Sequence, residues 1–97
     1  MNDRFVIRVG VIGLASIATR SMIPAILSLS NIFELFGVAS REQSKAEEAA
    51  KEYGCKSYGS YENLLSDNDI DAVYIPLPNS LHHIYVRQAL VKGKHVI

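Results

Sequence analysis

The sequence predicts an α/β fold, a doubly wound parallel sheet of about five strands. Two observations carry that expectation. Short, almost continuous apolar runs recur, as expected of strands covered on both faces. Segments of helical period alternate with them, so the strands should be parallel and joined by right-handed crossovers. A third observation orients the reading. The first run ends in Gly13-Leu14-Ala15-Ser16-Ile17-Ala18, a glycine turn leading into a helix start. Free backbone N–H groups and a helix dipole there can meet an anion.

Arg4 to Ile12 reads as the first strand, with Gly10 inside it allowing a neighbour to pack close. Ser16 to Ser30 reads as helix. Pro24 lacks the N–H that the Arg20 carbonyl needs, which predicts a kink or brief break near Arg20–Ile23. Ile32 to Ala39 is the second strand. Ser40-Arg41-Glu42-Gln43 is a turn, and Ser44 to Tyr53 is a helix with Ala46, Ala49, Ala50 and Tyr53 on one face. Ser44 and Glu47 match a capping box, with a helix start a residue or two earlier as the alternative, and Gly54 is a good C-terminal stop. Cys55 to Tyr58 is a short strand, and Ser60 caps a helix over Tyr61–Leu65. Ile70 to Ile75 is a buried strand. Asn79 or Ser80 caps a helix to about Val91, ended by Gly93, where Lys92 and Lys94 favour the negative end of the helix. His95-Val96-Ile97 starts another strand.

Composition narrows the function. Ninety-seven residues make at most one domain, residues 1–97. Ten basic and ten acidic side chains cancel, which gives no basic field for nucleic acid or an anionic membrane. Cys55 is the single cysteine, so no internal disulfide can form and a reducing, cytoplasmic setting is expected. Met1-Asn2-Asp3-Arg4 lacks the layout of a signal peptide, and no apolar run approaches the ~20 residues of a membrane span.

A doubly wound sheet binds ligands at the carboxyl ends of its strands, where the strand order reverses. Three loops fall there. In the first, Gly13, Ala15 and Ala18 follow the dinucleotide spacing G-x-G-x-x-G/A, with alanine at the second glycine position. An Ala15 methyl would push a pyrophosphate outward or require water between. The turn reads either as a pyrophosphate cradle formed by Gly13, Leu14, Ala15, Ser16 and Ile17, or as a plain strand-to-helix turn. In the second loop, Ser40 stands 22 residues after Ala18, where an NAD site carries a carboxylate for the ribose 2′-OH. Ser40 and Arg41 suit a 2′-phosphate instead, and Lys45 adds a second charge. NADP is therefore favoured over NAD; the plainer alternative is a turn cap beside a solvated arginine. In the third loop, two prolines stiffen the exit from the strand. Asn79 and His82, three apart, can share a helix face next to Pro78. They read as contacts to a nicotinamide or substrate, or as a cap and a packing residue. His82 and His83 point to different faces of a helix and lack companion ligands, so no metal is expected.

Together these segments resemble the glucose–fructose oxidoreductase/inositol dehydrogenase (Gfo/Idh/MocA) family of NAD(P)-dependent oxidoreductases. The likeness runs through Val9–Ala18, Ile23-Pro24-Ala25, Val38-Ala39-Ser40-Arg41, Ala46–Gly54, Tyr58–Glu62, Ile70–Ile75, Pro78–His82 and Gly93–Ile97. It implies a Rossmann NAD(P)-binding domain whose Gly13–Ile17 face the pyrophosphate. It further implies that Ser40 and Arg41 face the adenosine ribose and that Pro78, Asn79 and His82 line the nicotinamide side. In that family the strand begun by His95-Val96-Ile97 leads into a Glu-Lys-Pro motif whose lysine serves catalysis. An α/β substrate domain and usually an oligomer interface follow. The resemblance therefore implies an oxidoreductase parent, acting on a sugar, cyclitol or related substrate, with no catalytic residue inside these 97. A non-catalytic NADP-responsive regulator, known among relatives of the family, is the rival expectation.

Overall fold

The computed structural model describes residues 5–15 and 17–97. Its element order is β1 (Ile7–Ile12), α1 (Ile17–Ser28), β2 (Phe33–Ala39), α2 (Gln43–Tyr53), β3 (Lys56–Tyr58), α3 (Tyr61–Leu65), β4 (Ala72–Tyr74), α4 (Asn79–Val91) and β5 (His95–Val96). The strands form one sheet in the order β3-β2-β1-β4-β5, and every pairing is parallel. The chain thus winds outward from β1 in one direction, then returns past it to wind in the other. The reversal lies between β1 and β4, where the α/β expectation places a ligand crevice.

Two apolar clusters sandwich this sheet. Ile23 and Ile26 of α1 and Ala50 of α2 close over Val9, Val11, Leu35 and Val38. Leu64 and Leu65 of α3 and Ala89 of α4 close over Ile12, Ile70, Val73 and Ile75 on the opposite side. The near-continuous apolar strands follow directly, because both of their faces are covered. Gly10 meets its expectation: a Cβ there would stand 2.7 Å from Leu64 Cδ2, so its absence seats α3 on β1.

Several local expectations need correction. Helix α1 runs through Pro24 without a break. Ile23 and Ile26 clamp it to the sheet, while Arg20 and Pro24 lie on the exposed side, where solvent is at hand for the carbonyl that the proline cannot serve. The Ser44–Glu47 capping box does not form. Helix α2 starts one residue earlier, Glu42 is its N-cap with no side-chain cap bond, and the Gln43 amide donates to Glu47 Oε2 instead. Pro78, not Asn79 or Ser80, caps α4, which puts Asn79 inside the first turn. Ser60 does cap α3, accepting from the Asn63 N–H at 3.0 Å, and Gly54 ends α2 at φ 70°. The expectations that began the first strand at Arg4 and the first helix at Ser16 fall outside the described residues.

Lys94 departs most from expectation. Its charge does not serve the negative end of α4. It is buried, and its Nζ donates to the Asp67 and Ile70 carbonyls at 2.6 and 2.7 Å. Burial lowers its pKa. The lysine ties the α3–β4 turn to the start of β5.

The same turn holds Asp67, whose Oδ2 accepts from the Tyr58 hydroxyl at 2.5 Å and whose Oδ1 accepts from the Asp69 N–H at 2.9 Å. The Tyr58 bond, then the Asp69 bond, lowers the carboxyl pKa below its ordinary 3.8. A depressed carboxylate pKa contributes stability that is present above the unfolded value and lost as pH falls through the folded one. Asp67→Asn is therefore expected to flatten the fall in unfolding free energy below pH 3.8. Urea unfolding across that range would show it, and superimposable profiles for the two proteins would contradict it.

Candidate functional site

Gly13 ends β1 with φ 99°, a backbone conformation that L side chains rarely adopt. Its N–H donates to the Ala39 carbonyl at 2.8 Å, and its own carbonyl accepts from the buried Thr19 hydroxyl at 3.3 Å. The turn is thereby pinned to the end of β2 on one side and to α1 on the other. Ala15 beyond it is exposed.

The end of β2 presents Ser40 and then Arg41. Ser40 Oγ accepts from the Glu42 N–H at 3.3 Å, an ST-turn of the kind the plainer reading anticipates. Its hydroxyl hydrogen remains available to donate. Arg41 and Lys45 are both exposed, and Lys45 Nζ stands 3.3 Å from Glu42 Oε1.

The end of β4 continues into Pro76-Leu77-Pro78. The Leu77 N–H donates back to the Ile75 carbonyl at 2.9 Å, and the N–H groups of Leu81 and His82 donate to Pro78 at 2.9 and 2.8 Å. His82 Nδ1 lies 2.9 Å from the same Ile75 carbonyl. A carbonyl only accepts, so Nδ1 carries the proton, and in the neutral ring Nε2 is left as an acceptor.

The three loops converge. A 220 Å³ hollow is lined by Gly13, Leu14, Ala15, Ser40, Arg41, Glu42, Lys45 and Tyr61, with Pro76, Leu77, Pro78 and Leu81 as its other wall. An adjoining 610 Å³ hollow is lined by Asn79 and His82, with Tyr74, Ile75 and Ile97. Ala15, Pro76, Leu77 and Pro78 border both, so the two halves form one crevice across the β1/β4 reversal. One end carries two cations and one carboxylate. The other carries an amide and an imidazole. The profile of an oxidoreductase family with an NAD-binding Rossmann fold, Gfo/Idh/MocA, matches residues 7–97.

The chain belongs to this family.

Among Gfo/Idh/MocA relatives, it is 47% identical over 91 residues to a dTDP-3,4-didehydro-2,6-dideoxy-α-D-glucose 3-reductase of Streptomyces violaceoruber, covering 94% of this chain and 26% of that protein. It is 46% identical over 89 residues to D-xylose 1-dehydrogenase (NADP(+)) 2 of Haloferax volcanii, covering 91% and 27%. A crystal structure of a 3-ketoreductase from Actinomadura kijaniata, in complex with NADP and TDP-benzene, superposes with a TM-score of 0.88. The two are 41% identical, over 96% of this chain and 28% of that one. The chain therefore spans about a quarter of the length of the relatives it matches. No helix among the described residues is long and apolar enough to cross a membrane.

The crevice brings together Gly13, Leu14, Ala15, Ser40, Arg41, Lys45, Pro78, Asn79 and His82, all of which the sequence singles out. Ser16, and the side chains of Ile17 and Ala18, lie outside the described residues. The fit to a dinucleotide rests on the crevice itself. Gly13 leaves the first turn bare of a side chain, and a Cβ there would reach to within 2.7 Å of Leu77 Cδ2, a crevice wall. Ala15 stands at the junction of the two hollows without separating them.

Sequence reasoning missed Glu42, Tyr61 and Leu77. Tyr61 reaches the crevice from α3, where its ring meets Tyr85 edge-on at 5.0 Å between centroids. Burial raises the Tyr61 pKa, opposed by the Arg41 charge and backbone. Its signals in the sequence were its place just after the Ser60 cap and within the Tyr58–Glu62 segment of the family likeness. Leu77 lay between two prolines and was given no role.

Proposed function

We propose that this chain is the cofactor-binding portion of an NADP-preferring oxidoreductase acting on the CH–OH or C=O group of a sugar-like substrate. The observation that carries the reading is the single crevice running from Arg41 and Lys45 to Asn79 and His82 across the strand-order reversal. Its lining and polarity suit a dinucleotide laid over the first turn. In this reading the pyrophosphate lies against Gly13, Leu14 and Ala15, while Ser40 Oγ, Arg41 and Lys45 donate to a 2′-phosphate. Pro78 and Asn79 border the nicotinamide, and His82, fixed through Nδ1 by the Ile75 carbonyl, offers Nε2 beside it. The nicotinamide, when bound, supplies hydride chemistry at its C4. The relatives that act on a dTDP-sugar and on D-xylose support the sugar-like class.

The reading gives this chain the holding of the cofactor and assigns no catalytic side chain within it. A general acid–base group must reach the substrate oxygen, and that group, with the substrate-binding domain and the oligomer interface, is proposed to belong to the rest of a longer protein. Calorimetric titration of the chain with NADP and NAD tests the cofactor part. NADP is expected to bind more tightly. Tighter NAD, or no heat from either at millimolar concentration, would overturn it. Alcohol-dependent NADP reduction by these 97 residues alone would overturn the non-catalytic assignment.

A further inference from the structure

The cation end of the crevice contains a carboxylate that an NADP site does not need. Glu42 lines the same hollow as Ser40, Arg41 and Lys45. Its Oε1 lies 3.3 Å from Lys45 Nζ. Glu42 holds the N-cap position of α2, where a side chain ordinarily accepts from the first-turn N–H groups, yet it makes no such bond. Its backbone starts the helix: the carbonyl accepts from the Lys45 and Ala46 N–H groups at 3.1 and 3.2 Å, and its N–H donates to Ser40 Oγ. The carboxylate thus caps no N–H and is set against one of the two cations offered to a phosphate.

We infer that Glu42 is a specificity-determining residue that narrows the preference of this site for NADP over NAD. The inference rests on the nucleotide reading above. A 2′-phosphate carrying up to two negative charges competes with Glu42 for Lys45 and is repelled by it. A ribose 2′-OH has a hydrogen to donate, and Glu42 can accept it, as acidic residues do at the end of the second strand in NAD sites. One carboxylate therefore weakens the phosphate-bearing cofactor and favours the other. Arg41, outside this ion pair, retains a net attraction for phosphate. The pairing lies on the surface, so the effect is modest and falls with salt.

Glu42→Gln keeps the backbone hydrogen bonds of residue 42 and removes the charge. By calorimetry at low ionic strength, it is expected to tighten NADP about three- to tenfold and to leave NAD unchanged or weaker. In a Lys45→Gln background the same substitution should gain less, because no lysine remains to be released. Added salt should shrink the gain. An NADP affinity unchanged or reduced in Glu42→Gln, with an unaltered circular dichroism spectrum, would overturn the inference while the nucleotide reading stands. Equal tightening of NAD would overturn it too. Failure of the unsubstituted chain to bind either dinucleotide would remove the nucleotide reading itself, and this inference with it.

Discussion

Arg41→Ala is expected to cost about 1.5–3 kcal/mol of NADP binding, roughly ten- to a hundredfold in affinity, while NAD binding changes little. The guanidinium is exposed at the lip of the crevice and outside the Glu42–Lys45 pair. In the proposed complex it is therefore the cation most available to a 2′-phosphate. Its planar fork can make two parallel bonds to phosphate oxygens, which a lysine cannot match. NAD lacks the phosphate and so lacks the interaction. Parallel titrations of both cofactors give the answer. Equal losses for NADP and NAD would mean that Arg41 acts on a part common to both, such as the adenine ring or the pyrophosphate.

Leu64→Ala is expected to destabilise the fold by about 2–5 kcal/mol, the cost of a buried leucine truncated without collapse of the site. Leu64 is fully buried and packs with Ile12, Ile70 and Val73. It fills the space that the missing Cβ of Gly10 leaves over β1. Helix α3 has five residues and is fastened chiefly by Leu64 and Leu65, so little else can take up the loss. The native state of a small domain exceeds its unfolded state by only about 5–15 kcal/mol, so the substitution removes a large share. Urea unfolding monitored by circular dichroism measures it. A change below about 1 kcal/mol would show that neighbouring side chains close the cavity. Tyr61 rides on the same short helix, so NADP binding should weaken in parallel.

Much of this fold was legible because its signals are local. Gly54 can end α2 in a left-handed conformation, and Ser60 can cap α3, whatever the rest of the chain does. The apolar runs at β1, β2 and β4 announced strands covered on both faces. Weak local signals failed where packing outweighed them. The Pro24 break did not occur, because Ile23 and Ile26 hold both sides of the proline to the sheet. The Ser44–Glu47 box gave way to an earlier helix start at the end of the β2 turn.

The site divides in the same way. Gly13, Ser40, Arg41, Asn79 and His82 could be named in advance, because each sits at a strand end whose place the alternation of elements sets. Their order and spacing also carried the family resemblance. Glu42 was passed over as one charge in a polar turn, although its position was plain. Lys94 read as a charge favouring the negative end of α4, and the fold buries it against two carbonyls from the turn before β4.

The sequence by itself determined which segments are strands and helices, that the strands are parallel, and which three loops come together at the strand ends. Those follow from period, apolar content and turn chemistry, all short-range properties of the chain. The tertiary structure alone decided that Tyr61 and Leu77 wall the crevice, that Glu42 sits on Lys45 inside it, and that Lys94 is a buried tie. Each depends on distances between side chains brought together by the β1/β4 reversal or by the exact start of α2. Spacing along the chain does not encode such distances until the sheet is assembled.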